Sequence, residues 1–333
     1  MPTIKDVAKM AGVSPATVSA VLRGNKRVSD ISREKVDAAI AATGYRPNVV
    51  ARSLRTRQTR TLGLIVPDIS NPFYPEIARG IEQTARRHGF DVLFATGGED
   101  FVHTQHLLWH FTDRQVDGII LTSIGLDYPL SVAEWGVPII LVNRKCRGCT
   151  TDFIGIDNRA AARDVIHYLI SEGHQDIAFV GGPGNSSASL GRLQGYREAM
   201  LEAGLDLFDD WLLSGQLRYE DGVRAAHRLV SSRRRPTAIF SADDMMALGI
   251  LDGLEQRHVE VPREMSVVGF DGIWTSSLHG VQLTTVSQPL YEMGARSTEQ
   301  LLKRLDGDPS PPVDVLLDYT LVIRKTTGPA PPR

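Results

Sequence analysis

The chain has little that would suit it to a membrane, to export or to covalent stapling. Among its 333 residues there is no run of about 18 apolar side chains, the length a membrane span requires. The opening segment, Met1-Pro2-Thr3-Ile4-Lys5-Asp6, lacks the apolar core of a secretory signal, so export is not expected. Cysteine is nearly absent: Cys146 and Cys149 are too few for a disulfide framework, and the expected compartment is a reducing cytoplasm. Catalytic signatures are missing too. Gly181-Gly182-Pro183-Gly184 follows an apolar run, yet no Gly-Lys-Ser/Thr comes after it, which excludes a Walker-type phosphate loop. There is no Gly-x-Ser-x-Gly elbow and no His-Glu-x-x-His helix. Cys146-Arg147-Gly148-Cys149 has CxxC spacing but no second pair and falls in an expected loop, so neither zinc nor redox chemistry is expected of it. The histidines are scattered without metal spacing. The expectation is a non-enzyme with no cofactor and no metal.

What is present is a composition ordinary for a globular protein, 42% hydrophobic and 23% charged, on a chain long enough for about two or three domains. The formal net charge of −2 conceals a strong asymmetry. Residues 1–60 carry twelve basic side chains against four acids, a balance of +8, and the remainder sits at −10. A short basic head on an acidic body implies that the head alone meets a polyanion.

Inside that head, Thr3 and Asp6 have capping-box spacing, and Ile4, Val7, Ala8 and Ala11 repeat at helical intervals before Gly12. Ser14 suits an N-cap and Pro15 the first helical position of a second helix running through about Leu22. That helix is expected to bury Val18, Val21 and Leu22, leaving Ala16, Thr17, Ser19, Ala20 and Arg23 on other faces. A third helix is expected from Ser29 or Ser32 through Ile40, ended by Gly44 and Pro47. Two short helices about one tight turn, in so basic a segment, read as a helix-turn-helix rather than a generic three-helix bundle.

The segments Ile4-Lys5-Asp6-Val7-Ala8, Ala11-Gly12-Val13-Ser14 and Thr17-Val18-Ser19 resemble the headpiece signature of the lactose/galactose-repressor (LacI/GalR) family. Tyr45-Arg46-Pro47-Asn48, Ala51-Arg52-Ser53-Leu54 and Thr61-Leu62-Gly63-Leu64 resemble that family's hinge and first sensor strand, and further similarity extends to Leu321–Thr327. The resemblance implies that the second helix enters the major groove and that two heads of a homodimer bind a near-palindromic operator. Thr3, Ser14, Thr17 and Ser19 then suit phosphate contacts. Base reading falls to the positions of Pro15, Ala16 and Ala20. Alanine at 20 departs from the long polar residue common there and offers only a methyl, so weak selection for guanine is expected. For Arg23, base and phosphate contact both remain open. Asn48, Ala51 and Leu54 lie on an implied hinge helix that orders on DNA, with Leu54 as a wedge between base steps.

From residue 61, short apolar runs alternate with amphipathic helical patterns, which implies parallel sheets covered on both faces. The fold class expected is an all-α helix-turn-helix headpiece plus an α/β sensor of periplasmic-binding-protein-like type I, with two doubly wound parallel-sheet lobes. The domains run 1–46 (headpiece), 47–60 (hinge helix and linker), 61–327 (effector-binding and dimerisation domain) and 328–333 (a disordered Pro-rich tail). A last helix near Tyr291–Leu305 and a strand near Val315–Ile323 are expected to recross to the first lobe.

Ligands of such folds sit between lobes, beyond the carboxyl ends of strands. The candidates there are Phe73 and Tyr74 after the first strand, Asn143 and Arg144 after the fourth, and Asp243 and Asp271 after second-lobe strands. Arg192 matches the arginine with which family members grip a ligand, and Gln288 is a further candidate. Asp243 and its neighbour Asp244 also suit a plain helix N-cap. Leu217 stands where some members carry a stacking aromatic, and Trp274 reads equally as a replacement ring or as packing at a lobe edge. A guanidinium with carboxylates and aromatic faces suits a sugar or sugar derivative, with a nucleoside or purine as the alternative effector. An exported solute-binding protein would share the body but has no use for the basic head.

Overall fold

The structure is a computed structural model that describes residues 2–22, 28–45, 58–98, 100–128 and 130–332. It divides into two units, Met1–Thr59 and Arg60–Arg333.

The described part of the first unit holds three helices, α1 (Ile4–Ala11), α2 (Pro15–Leu22) and α3 (Asp30–Thr43). The main-chain and side-chain donors of Thr3 both reach Asp6 Oδ2 at 2.8 Å, fixing the first turn of α1. Gly12 ends α1 at φ 67°, a left-handed conformation that costs glycine little. Ser14 Oγ then accepts from the Thr17 amide at 3.1 Å and starts α2. Val7, Ala8, Ala11, Val18, Val21, Val36 and Ala39 close a small core. Leu22 does not join it: the side chain is 36% exposed, because it lies at the margin of the Val18–Val21 stripe in the last turn of α2.

The second unit begins β1 (Thr61–Val66), α4 (Phe73–Arg87), β2 (Asp91–Thr96), α5 (Phe101–Asp113), β3 (Gly118–Leu121), β4 (Ile139–Val142) and β5 (Phe153–Gly155). It continues α6 (Asn158–Ser171), β6 (Ile177–Gly181), α7 (Ser187–Glu202), β7 (Leu212–Ser214), α8 (Tyr219–Val230), β8 (Ala238–Ser241), α9 (Asp244–Gln256), β9 (Ser266–Asp271) and β10 (Thr284–Ser287). It finishes α10 (Leu290–Leu305), β11 (Asp314–Leu316) and β12 (Thr320–Val322). Two six-stranded sheets result, in the orders β11-β5-β4-β3-β1-β2 and β12-β10-β9-β8-β6-β7. All ladders are parallel except β10 with β12. The central strands β3, β4, β6, β8 and β9 are buried along their whole length, as helices on both faces require.

Helices α4 and α10 pack backbone to backbone on the first lobe. A Cβ on Gly80 would collide with the Tyr291 carbonyl oxygen, and one on Gly294 with that of Ile77. The chain passes between the sheets three times, after β5, after β10 and between β11 and β12.

Two further expectations need correction. The single closing strand is two: β11 joins the first sheet, but β12 pairs antiparallel with β10 in the second. The bend between them lets one short segment satisfy an edge of each sheet. The tail expected to be disordered is held as far as it is described. His174 Nε2 donates to the Gly328 carbonyl at 3.1 Å, the Gly328 amide bonds Ser266 Oγ at 3.2 Å, and the Ala330 amide bonds the Glu172 carbonyl at 2.8 Å. Partners for its backbone outweigh its proline content. Cys146 and Cys149 lie side by side, with Cα atoms 5.5 Å apart. Among the described residues no helix is long and apolar enough to cross a membrane.

Candidate functional site

In the body, several of the residues expected to bind an effector, Tyr74, Arg144, Asp243 and Asp271 among them, lie within electrostatic reach of Arg192. This side chain on α7 is 4% exposed and pinned on several sides. Its Nε donates to Asn158 Oδ1 at 2.8 Å, its Nη1 donates to the Ala242 carbonyl, and its Nη2 lies 3.3 Å from Asp271 Oδ1. The guanidinium also covers the Phe270 ring, 3.7 Å from its centroid. Asp271, the last residue of β9, accepts from Gln288 Nε2 at 2.8 Å. Its main-chain carbonyl accepts the Gln288 amide at 3.1 Å, so the second chain crossing is tied to the acid. Asn158 stands at the first crossing. The site is built where the lobes join.

Two of these residues hold backbone conformations that L side chains seldom adopt: Asn143 at φ 66° and Asp271 at φ 114°. Strain of this kind gathers where a structure must present a side chain in one direction. Asn143 and Arg144 follow β4, and both are buried. Phe73 and Tyr74 open α4 with their rings perpendicular, centroids 5.0 Å apart. The preceding loop is set by Ser70, whose amide and hydroxyl both donate to Asp68, and by the Phe73 amide bonded to Asn71 Oδ1.

The electrostatics are those of an overfilled acid cluster. Burial pushes Asp243 upward, with the charge of Asp271 adding to it. Burial likewise raises Asp271 against the opposing pull of Arg192. Asp244 is held well above the ordinary carboxylate range by burial and then by Asp271. Arg192 itself is lowered by burial, opposed by Asp271, Asp243 and Tyr74. Arginine still keeps its charge under such conditions. Arg144 acts on both Arg192 and Asp271, which places first-lobe and second-lobe charges within reach of each other.

Three buried polar atoms at these positions have no partner: Asn143 Oδ1, Asp243 Oδ2 and Gln288 Oε1. Leaving such groups unmet costs about 1–3 kcal/mol each, so each of them has room for a donor from outside the chain. All three are acceptors.

Asp243 does two things at once: Oδ1 caps α9 by accepting from the Met246 amide at 2.9 Å, and Oδ2 is left over. Asp244 instead binds internally, accepting from Thr285 Oγ1 at 2.6 Å and the Ile273 amide at 2.9 Å. Asn158 was not anticipated; the signal available was a buried amide directly behind the Asp157 cap of α6. Leu217 packs against Gly182 rather than presenting a ring. Trp274 is 67% exposed and lines an outer groove of about 780 Å³ with Pro75, Arg79 and Tyr291. It is not among the buried residues around Arg192.

In the headpiece, Ser14, Pro15 and Ala16 are exposed at the start of α2, and Thr17, Ser19 and Ala20 are partly so. The position of Thr3 is fixed by Asp6. Arg23, Asn48, Ala51 and Leu54 lie outside the described residues, so the hinge expectations do too.

Residues 3–48 match the family described as bacterial regulatory proteins, lacI family, and residues 59–322 match periplasmic binding proteins and sugar binding domain of LacI family. The chain is 36% identical over 328 residues to catabolite control protein A of Priestia megaterium, covering 98% of this chain and 99% of that protein. It is 35% identical over 335 residues to the HTH-type transcriptional repressor CytR of Escherichia coli K12, covering 99% and 97%. The lac repressor dimer bound to operator and the anti-inducer ONPF matches with a TM-score of 0.89 at 27% identity, covering 98% of this chain and 99% of that one. The complex of transcriptional regulator CelR with cellobiose matches with a TM-score of 0.75 at 33% identity, covering 98% and 100%. A basic helix-turn-helix head, a two-lobed body with a polar cleft, and similarity across both together place the chain in the LacI family of DNA-binding transcriptional regulators.

Proposed function

We propose that the protein is a cytoplasmic, homodimeric repressor whose grip on a near-palindromic operator is set by a neutral, polyhydroxylated effector, a sugar or sugar derivative. The observation that carries the effector class is the set of three unpartnered buried acceptors, Asn143 Oδ1, Asp243 Oδ2 and Gln288 Oε1, taken together with the buried Arg192–Asp271 pair. Sugar hydroxyls donate to such atoms, whereas an anionic ligand would meet a cluster already rich in carboxylates. Phe73 and Tyr74 supply an apolar wall for a sugar ring. A nucleoside is the second reading; Leu217 gives it no stacking ring.

On the DNA side, the start of α2 enters the major groove. Ser14, Thr17 and Ser19 bind phosphate, while Pro15, Ala16 and Ala20 face bases through apolar contacts. Residues 47–60 act as the hinge, with Leu54 as the wedge that DNA binding orders. Effector and DNA are then linked through the arrangement of the lobes. The role is binding rather than turnover.

A thermal-shift screen against sugars and nucleosides, followed by a DNA-binding assay with each hit, tests this reading. A sugar that stabilises wild type, fails to stabilise Arg192→Ala and changes operator affinity supports it. Stabilisation by nucleosides alone selects the second reading, and turnover of a hit would restore an enzymatic one.

A further inference from the structure

The CxxC segment sits where the lobes touch. Cys146 follows Arg144 by two residues and Asn143 by three and is buried, and Cys149 is half-buried with Sγ near the Tyr128 carbonyl. The loop containing them is sewn to the loop after β3, the Arg147 amide donating to the Leu126 carbonyl at 2.6 Å. Both loops belong to the first lobe, and both reach the second. The Leu126 amide donates to the Asn185 carbonyl at 2.6 Å, and the Lys145 amide donates to Ser187 Oγ at 2.7 Å, at the start of α7. Gly148 turns the chain at φ 71°, a conformation open to glycine, and brings the two cysteine Cα atoms to 5.5 Å, inside the range a disulfide spans.

We propose that Cys146 and Cys149 are a reversible oxidation site, a dithiol whose closure to a disulfide stiffens the pad formed by residues 124–128 and 143–149 against the second lobe. In a reducing compartment the pair rests as thiols, and a low-molecular-weight disulfide is the oxidant. The thiolate of Cys149, the more accessible of the two, attacks one sulfur of that disulfide, forming a mixed disulfide and releasing one small thiolate. The Cys146 thiolate then attacks Cys149 Sγ, forming the internal bond and releasing the second. Two protein thiols become one disulfide, one small disulfide becomes two small thiols, and the two protons go to the leaving thiolates. A closed ring over residues 146–149 limits the motion of Arg147, whose amide holds the pad, and anchors the chain directly after Lys145, whose amide holds it to the second lobe. The consequence for ligand affinity rests on the reading above of Asn143 and Arg144 as effector contacts. The oxidation and the stiffening do not.

The test uses the full chain, equilibrated with dithiothreitol or with oxidised glutathione, followed by thiol alkylation, mass measurement and hydrogen exchange. The expected result is loss of both alkylatable thiols without a glutathione adduct in the oxidised sample. With it, amides in peptides covering 124–128 and 143–149 exchange at least about tenfold more slowly than in the reduced sample, while 177–181 is unchanged. Cys146→Ser and Cys149→Ser should each abolish the difference, but wild type in its two states decides the matter without them. Thiols that remain alkylatable in oxidised glutathione, a stable adduct on Cys149, or equal exchange in both states would each overturn the proposal. None of these readouts depends on which effector the cleft takes.

Discussion

Effector binding should strengthen as pH rises from 5 to 7. Burial pushes the free Asp271 carboxyl from an ordinary 3.8 up to about 6, and Asp243 up to about 7. The sign follows from which form each state prefers. Above pH 4 the folded, ligand-free protein retains protons that the unfolded chain has lost. The contribution of these acids to stability is therefore present at low pH and declines as pH climbs through that window. A ligand hydroxyl that donates to a carboxylate favours its charged form and pulls its pKa back down. If the effector returns Asp271 to its ordinary value, the free protein at pH 5 is about ten parts protonated to one charged, and affinity falls about tenfold relative to pH 7. Asp243, raised further, steepens the dependence. Titration calorimetry of the screened effector at pH 5, 6, 7 and 8, in buffers of differing ionisation enthalpy, measures both the affinity and the protons released. Asp243→Asn should flatten the upper part of the curve. An affinity independent of pH, or stronger at pH 5, would refute the claim that ligand donors satisfy these acids.

Gly80→Ala should destabilise the body by at least about 2 kcal/mol, because its Cβ meets the Tyr291 carbonyl, which belongs to a packed helix and cannot rotate away. Denaturant unfolding followed at the tryptophans checks this, and a change under 0.5 kcal/mol would contradict the α4–α10 contact. Ala20→Arg should shift the selected operator base opposite that position toward guanine in a binding selection; an unaltered preference removes residue 20 from the base-reading set. Leu54→Ala should weaken specific operator binding far more than binding to random DNA, measured at one fixed salt concentration. Equal losses on both would end the wedge assignment.

Much of the architecture was legible because parallel strands buried on both faces are written as short unbroken apolar runs. Ile119-Ile120-Leu121, Ile139–Val142 and Ala238-Ile239-Phe240 announce themselves in this way. β5 and β10 did not. Phe153-Ile154-Gly155 is too short to show a period, and Thr284-Thr285 is polar because its hydroxyls bond Thr327 and Asp244 inside the protein. Helix α5 is weakly written for a related reason: histidines and aromatics blur its apolar stripe, and Trp109 is 53% exposed. No local pattern tells a chain to change sheets between β11 and β12. For the proposed cleft, position after a strand singled out Asp243, Asp271, Asn143 and Arg144, all of them buried in the structure. It did not separate Asp243, which keeps a free oxygen, from Asp244, which spends both on Thr285 and Ile273. That difference depends on which way each carboxylate points, and only tertiary packing sets it. In the headpiece, cap chemistry at Thr3, Ser14 and Ser29 is local, and the helix starts it implied are where the helices begin.

The arrangement also constrains how a ligand in the cleft can act at a distance. An effector shifts a conformational equilibrium only by the difference in its affinity for the two states. Contacts internal to one lobe, such as Arg192 with Asn158 and Ala242, persist however the lobes move and contribute nothing to that difference. The groups that do contribute have partners across the junction: Arg144 facing the Arg192–Asp271 pair, and the amides of Leu126 and Lys145 on Asn185 and Ser187. A twofold weaker or stronger hold on those groups changes affinity little. A ligand that completes Asn143 Oδ1 from one lobe and Asp243 Oδ2 from the other favours the arrangement that presents both, and by linkage that arrangement is the one whose DNA affinity it changes. Variants at these bridging positions should therefore alter the response to effector more than they alter effector binding, whereas Arg192→Ala should lose both together.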